Sequence, residues 1–355
     1  MVDVAADICG VHAQVAASSE LMLGIRLREI TRGDVREALW EKRTLVKTVG
    51  LRGTLHLFPA AEVPVWMAAN RLRFPAEQKR LAKAGIDAEE LNAVIEAIAD
   101  MVGPEAMSRP ELEARLEERV GGWATSTNQG WAGSYKNWPM ALGWAAALGR
   151  VCYGPGHGGR STFVSLSDWS GWREVDPAEA GIFVLRRFLH AYGPSTVAEF
   201  SRWFALEPAL SKRLFGDLTD ELAEVDVEGS RRWILRTDLG ADSKPAGDSV
   251  HLLPQFDVFV VGSHPRDQLM DPTSAVAQAS PGTAATFAVL LVGGRVGGVW
   301  ERKPVAGRLR VRVGANRSLH RRQRDSIAEQ AERIAQVLEL RSEIEFGEVS
   351  LRRHL

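Results

Sequence analysis

An α+β fold, tandem winged-helix domains followed by a β-rich C-terminal scaffold element, is predicted by three features of the 355-residue sequence. An order of three helices and a hairpin occurs more than once, glycine and proline punctuate the joints, and the C-terminal third is rich in strand-like segments. The order is clearest in the middle. From Pro177 to Tyr192, apolar Ile182, Leu185, Phe188 and Leu189 recur at helical spacing until Gly193-Pro194 stops the run. Ser195-Thr196 caps a second helix over 197–204, with Glu199 in its first turn, and a third spans 208–218. Strands over 222–227 and 232–235 flank the turn Glu228-Gly229-Ser230. Three helices and a hairpin make a winged helix, a variant of the helix-turn-helix.

The same order is read upstream over 87–166. Helices are expected over 90–101, over 109–120 behind the cap Ser108-Arg109-Pro110-Glu111, and over 135–149. Hairpin strands over 151–153 and 162–166 flank residues 154–160, which are too glycine-rich for anything but a loop. That loop is expected either to enter a groove through His157 and Arg160 or to be a plain surface loop. Trp131, Trp138 and Trp144 are expected in the core. Residues 1–86 fit a degraded third copy, with a helix over 34–40 and a strand over 51–58. Past residue 246, strands are read over 250–261, 286–292, 295–301 and 309–313, with a tight turn at Gly293-Gly294. A last helix over 326–340 aligns Ile327, Ala331, Ile334 and Leu338 on one face. The expected domains are therefore 1–86, 87–170, 171–245 and 246–355.

Bulk composition narrows the class. The length exceeds what one core usually serves, and no apolar run approaches the roughly 18 residues of a membrane span. No secretory signal is visible, so a cytoplasmic protein without a membrane partner is expected, acting as a monomer. Its two cysteines, Cys9 and Cys152, form no ligand-like pair, so neither metal nor cofactor is expected. A net charge of −1 requires any DNA-binding surface to be local. Arginine-dense stretches at 71–73, 231–232, 308–312 and 317–324 read as solvated faces.

Two segments have side-chain directions that suggest chemistry. As a strand, 52–58 would put Arg52, Thr54 and His56 on one face and Leu55 and Leu57 on the other. The polar row is either a solvated outer face or a set of phosphate or substrate contacts. In Val11-His12-Ala13-Gln14-Val15, His12 and Gln14 share a direction only in an extended chain, since i and i+2 diverge on a helix. A short helix ending at Gly10 and a cap at Ser18-Ser19-Glu20 place the pair between helices. By itself such a pair reads as a surface or hydrogen-bonded structural pair rather than as a catalytic one.

Together with Gly193-Pro194-Ser195-Thr196, Phe200, Trp203 and Leu253-Pro254-Gln255-Phe256-Asp257, these segments make the sequence resemble the bacterial winged-helix DNA glycosylases typified by AlkZ and YcaQ. The resemblance spans nearly the whole chain and implies tandem winged helices around a DNA channel. It implies excision of bulky N7-alkylated purines from double-stranded DNA, and in some members the unhooking of interstrand crosslinks. The family's glutamine-apolar-glutamine or glutamine-apolar-aspartate signature falls on His12-Ala13-Gln14, with histidine at the first position, and a longer helix usually precedes it. Arg52, Thr54 and His56 fall on channel residues. An N7-alkylated guanine is already cationic, so its departure needs little general-acid help. Gln14 is then expected to orient water and stabilise positive charge on the sugar, while His12, with an ordinary pKa of about 6.5, accepts the water's proton. With no amine nucleophile at the motif, a monofunctional hydrolase that leaves an abasic site is expected. A non-catalytic winged-helix regulator shares the fold, and a protein-interaction scaffold is compatible with the near-zero charge.

Overall fold

Alternation sets the sheet of the first unit. Along Arg295–Val305 and Arg308–Ala315, Val296, Trp300, Leu309, Val311 and Val313 are buried, while Arg310 and Arg312 lie on the opposite face. In this computed structural model, which describes residues 1–130, 133–158, 160–241, 247–270, 274–279 and 287–350, the chain is a mixed α+β protein. Met1, residues 3–36 and residues 238–355 form one compact unit, and Val2 with residues 37–237 forms the other.

The first unit's sheet runs Val250–Leu253, Val289–Val292, Arg295–Val305, Arg308–Ala315, Arg341–Phe346, antiparallel except for the final parallel pair. Gly293 and Gly294, at φ 59 and 78, make the expected two-residue turn. The helix Arg321–Val337 lays fully buried Ile327, Ala331 and Ile334 into the core that holds Leu252, Leu290 and Val311. It starts five residues earlier than predicted because His320 acts as its cap, paired reciprocally with Gln323. Nor does it close the fold, since Arg341–Phe346 returns to the sheet as a strand. The strand read over 250–261 stops at Leu253. Pro254 has no N–H for a ladder, and Asp257 caps a helix over Val258–Gly262 instead. Position 286 lies outside the described residues.

The helix Ala16–Gly24 belongs to this unit, with Leu21 in the same core. A Cβ at Gly24 would stand 2.8 Å from Val337 Cγ1 and closer still to Cγ2, so glycine permits the approach. Arg333 fastens the junction, donating from Nε to the Gly24 carbonyl at 3.2 Å and from Nη2 to that of Leu27. Residues 3–36 thus belong with 238–355, and the helix Ala16–Gly24 finds its apolar partners in residues far along the sequence.

In the second unit, five strands run Leu55–Pro59, Leu45–Val49, Val151–His157, Arg160–Ser165, Met107–Ser108, with antiparallel pairing. Their core takes Leu91, Ile95 and Ile98 from Ala88–Met101, Leu112 and Leu116 from Arg109–Val120, and Trp138 and Leu142 from Trp138–Ala147. The expected helix over 135–149 starts only at Trp138, because Gly133–Lys136 pairs as a strand with Thr127–Gly130. Trp138 is buried and Trp144 half-buried against Phe74, whereas Trp131 lies outside the described residues. Residues 154–157 and Arg160 are not part of a free loop but of the hairpin arms, which shift register between Gly154 and His157, while position 159 lies outside the described residues. A Cβ on Gly154 would lie 2.8 Å from Thr162 Oγ1, so this glycine serves a close cross-strand approach.

Helices Pro177–Tyr192, Val197–Phe204 and Pro208–Asp217 follow in the predicted order, then the hairpin Leu222–Val227 with Ser230–Leu235. Thr196 and Glu199 form the expected capping box, and Phe188, Phe200 and Trp203 pack as an aromatic cluster. Among the described residues, no helix is long and apolar enough to cross a membrane.

Candidate active site

The motif is presented by a helix that ends sharply. After Val2–Asp7, the amide of Gly10 bonds back to Ala5 O at 2.7 Å and that of Cys9 to Ala6 O at 3.0 Å. With φ of 61 at Cys9 and 91 at Gly10, this is a Schellman-type stop that reverses the backbone. Val11–His12 then runs extended, and the next helix begins at Ala16. His12 and Gln14 thus occupy the inter-helix segment, as expected. His12 is 5% exposed, and Gln14 is exposed at the bend before the helix. Ser18, Ser19 and Glu20 do not cap: they are buried inside the helix, whose N-cap is extended Val15. Ser19 instead donates to Ala16 O at 2.8 Å, and Glu20 accepts from Arg36 at 2.9 Å.

His12 lies flat against Phe256, ring centroids 5.2 Å apart and planes 21° from parallel. Phe256 has φ 59, a left-handed conformation that costs a bulky residue roughly 1–3 kcal/mol. The next residue, Asp257, is fully buried, accepts from Phe259 N at 3.0 Å as the helix cap, and receives Arg26 Nη1 and Nη2 at 2.8 and 2.7 Å. Sequence reasoning assigned no role to Phe256 or Asp257 and missed Arg26. Beyond the resemblance carried by segment 253–257, the local signal was Asp257 standing before a helix, hidden by the β-branched valines that follow it.

The second unit holds the expected polar row, in a different form. Leu51–Gly53 is a helical turn with Arg52 at φ 54, and the strand starts at Leu55, so the three residues do not alternate along one strand face. Arg52 Nη1 donates to Trp203 O at 2.6 Å, and Thr54 Oγ1 to Leu51 O at 2.9 Å. His56 is 1% exposed, stacked on Phe58, with Nδ1 3.0 Å from Thr54 O. Arg52 lines a cavity of about 720 Å³ with Arg73, Arg80, Met140 and Trp144. Arg73, read as part of a solvated stretch, is buried and bonded to Gly50 O at 3.2 Å and Asn70 Oδ1 at 3.0 Å. Burial, then the nearby Arg52 charge, pushes its guanidinium down to about 10. In the hairpin, His157 pairs across from Arg160, whose side chain is exposed.

Several arginine-dense stretches are neutralised locally. Arg312 meets Glu345 at 2.8 Å and Arg310 meets it at 3.2 Å, while Arg232 pairs with Glu199 at 3.0 Å. Among the described residues, no cluster of side chains suits a metal ion.

Comparison with known proteins places the chain in a family. A family model described as DNA glycosylase AlkZ-like matches residues 5–337. The interstrand DNA cross-link repair glycosylase of Streptomyces sahachiroi is 31% identical over 315 residues, covering 84% of this chain and 81% of that protein. The solved structure of the Streptomyces sahachiroi DNA glycosylase AlkZ aligns with a TM-score of 0.76 at 25% identity, over 98% of this chain and 93% of that one. Similar along nearly its whole length in both sequence and backbone, the chain belongs to the AlkZ-like DNA glycosylase family.

Proposed function

We propose that this DNA glycosylase hydrolyses the N-glycosidic bond of bulky N7-alkylated purines in duplex DNA, using His12 and Gln14. The observation that carries the reading is the setting of the pair: a break between two helices, extended at Val11–His12 and bent at Gln14, with a buried imidazole at one position and an exposed carboxamide two residues on. An N7-alkylated purine leaves as a neutral base, so what remains is to stabilise an oxocarbenium-like sugar and deliver water. The Gln14 carboxamide oxygen is suited to both tasks, and His12 takes the water's proton. Water rather than an amine attacks, so the product is an abasic site in an uncut strand.

The helix and hairpin orders over 87–170 and 171–245 support reading those stretches as winged helices, with 1–86 as a degraded copy carrying the motif. Arg52, Thr54 and His56 would border the channel, and His157 and Arg160 would reach a groove from the hairpin. The relative's name, a cross-link repair glycosylase, supports unhooking of interstrand crosslinks as part of repair or of self-resistance to a genotoxic natural product. The enzyme would act as a monomer in the cytoplasm.

A duplex carrying 7-methylguanine or a bulkier N7 adduct, incubated with the protein and heated in alkali, is expected to break at the adduct. His12→Ala and Gln14→Ala should each slow release by about a hundredfold or more. Release of no N7 adduct would overturn the substrate class, and full activity in both variants would overturn the site.

A further inference from the structure

A water-activating imidazole must be held in one orientation, and burial alone does not choose it. We propose that Phe256 is the positioning residue for His12 and that the Arg26–Asp257 pair locks Phe256 in place. The inference rests on the catalytic assignment of His12 above.

Three observations carry it. The near-parallel rings, 5.2 Å apart, cover one face of the imidazole and leave its edge, where both nitrogens lie, outside the contact. Turning the ring about its Cβ–Cγ bond would forfeit that contact. Secondly, Phe256 sits at φ 59, which persists only where neighbours fix the backbone. They do so: Asp257 N donates to Pro254 O at 3.2 Å, and the fully buried Asp257 carboxylate both caps a helix and takes a two-pronged bond from Arg26. Thirdly, Arg26 comes two residues after the helix Ala16–Gly24, which itself begins two residues after Gln14, and Arg26 Nη1 also donates back to Met22 O at 3.0 Å. The contacts therefore close a ring: from His12 through Gln14 and the helix to Arg26, across to Asp257, and back through Phe256 to the imidazole. One face of His12 and the segment that carries it are anchored to the same residues.

The test compares Phe256→Ala, Phe256→Leu, Phe256→Tyr and Asp257→Asn with the unaltered full-length protein. Single-turnover release of 7-methylguanine is measured beside affinity for a duplex containing a tetrahydrofuran abasic-site analogue. Phe256→Ala and Phe256→Leu are expected to slow release at least about tenfold while affinity stays within about twofold. Phe256→Tyr, which keeps the stacked ring, should recover the rate to within about threefold, and Asp257→Asn should slow release several-fold. If the alanine variant melts early, the leucine variant, which keeps the bulk, carries the comparison. Independently of activity, the ring protons of His12, assigned by their loss in His12→Ala, should show an aromatic ring-current shift that vanishes in Phe256→Leu.

Unchanged release in folded Phe256→Leu, equal losses of rate and affinity, or no ring-current shift would each overturn the inference. If His12→Ala retains the full rate, the catalytic assignment fails and the inference with it. If His12→Ala is slow while Phe256→Leu is not, the inference alone fails.

Discussion

Asp257 shows how much one buried carboxylate can be asked to hold. It has no exposed surface and serves a helix cap and a bidentate arginine at once. Removing it would leave the Arg26 guanidinium without its carboxylate, so Asp257→Ala is expected to lower stability by about 3–5 kcal/mol, read by urea denaturation. Cys152 tests burial of a different kind. Fully inside, its thiol is pushed up to about 12, burial outweighing the nearby Arg43 charge. Above about pH 8.5 a thiol in the unfolded chain loses its proton while this one keeps it, so the unfolded state gains and stability falls as pH rises from about 9 towards 12. The Cys152 contribution is at most about 1.4 kcal/mol per pH unit, and urea titrations at pH 9 and 10 should show a shallower fall in Cys152→Ala. Both cysteines are buried, so a thiol reagent at pH 8 should label neither until denaturant is added.

At the scale of elements, the contact of Ala16–Gly24 with Arg321–Val337 depends on a missing side chain. Gly24→Ala drives a methyl into stiff, branched Val337 and should cost about 1–3 kcal/mol, and adding Val337→Ala should restore much of the loss, as thermal melts would show. Elements whose signals are short-range were legible in the sequence. Ser108 with Glu111 and Thr196 with Glu199 form capping boxes within four residues, and the helices they open start where expected. Where tertiary partners decide, local reading went astray. Ser18-Ser19 looks like a cap, but helical packing begins earlier, and the apolar run from Val250 to Val261 divides into a strand and a helix around Pro254 and Asp257. The candidate site divides the same way. The break carrying His12 and Gln14 was readable from the glycine and the flanking helices. The bond between Arg26 and Asp257 joins residues 231 positions apart, and no periodicity announces it.

Over the whole molecule, a net charge of −1 and a DNA-binding activity are reconciled by local pairing, which spends many of the 44 basic side chains on neighbouring carboxylates. Family membership makes the chain an enzyme, so the reading as a non-catalytic regulator falls away. If Arg52 and Arg160 meet phosphates, Arg52→Ala and Arg160→Ala should each weaken duplex binding and flatten the slope of log affinity against log salt by about one. Deleting residues 1–36 removes fully buried Leu21, Met22 and Leu23 from the unit they share with 238–355. Calorimetry is expected to lose that unit's transition and keep the transition of 37–237. The two-ended construction also orders events in time. His12 is made before Asp257 and before the sheet strand ending at Phe346, all of one compact unit. At ordinary elongation rates the motif waits roughly 15–60 s for these partners, so the newborn chain carries no finished site until they have emerged.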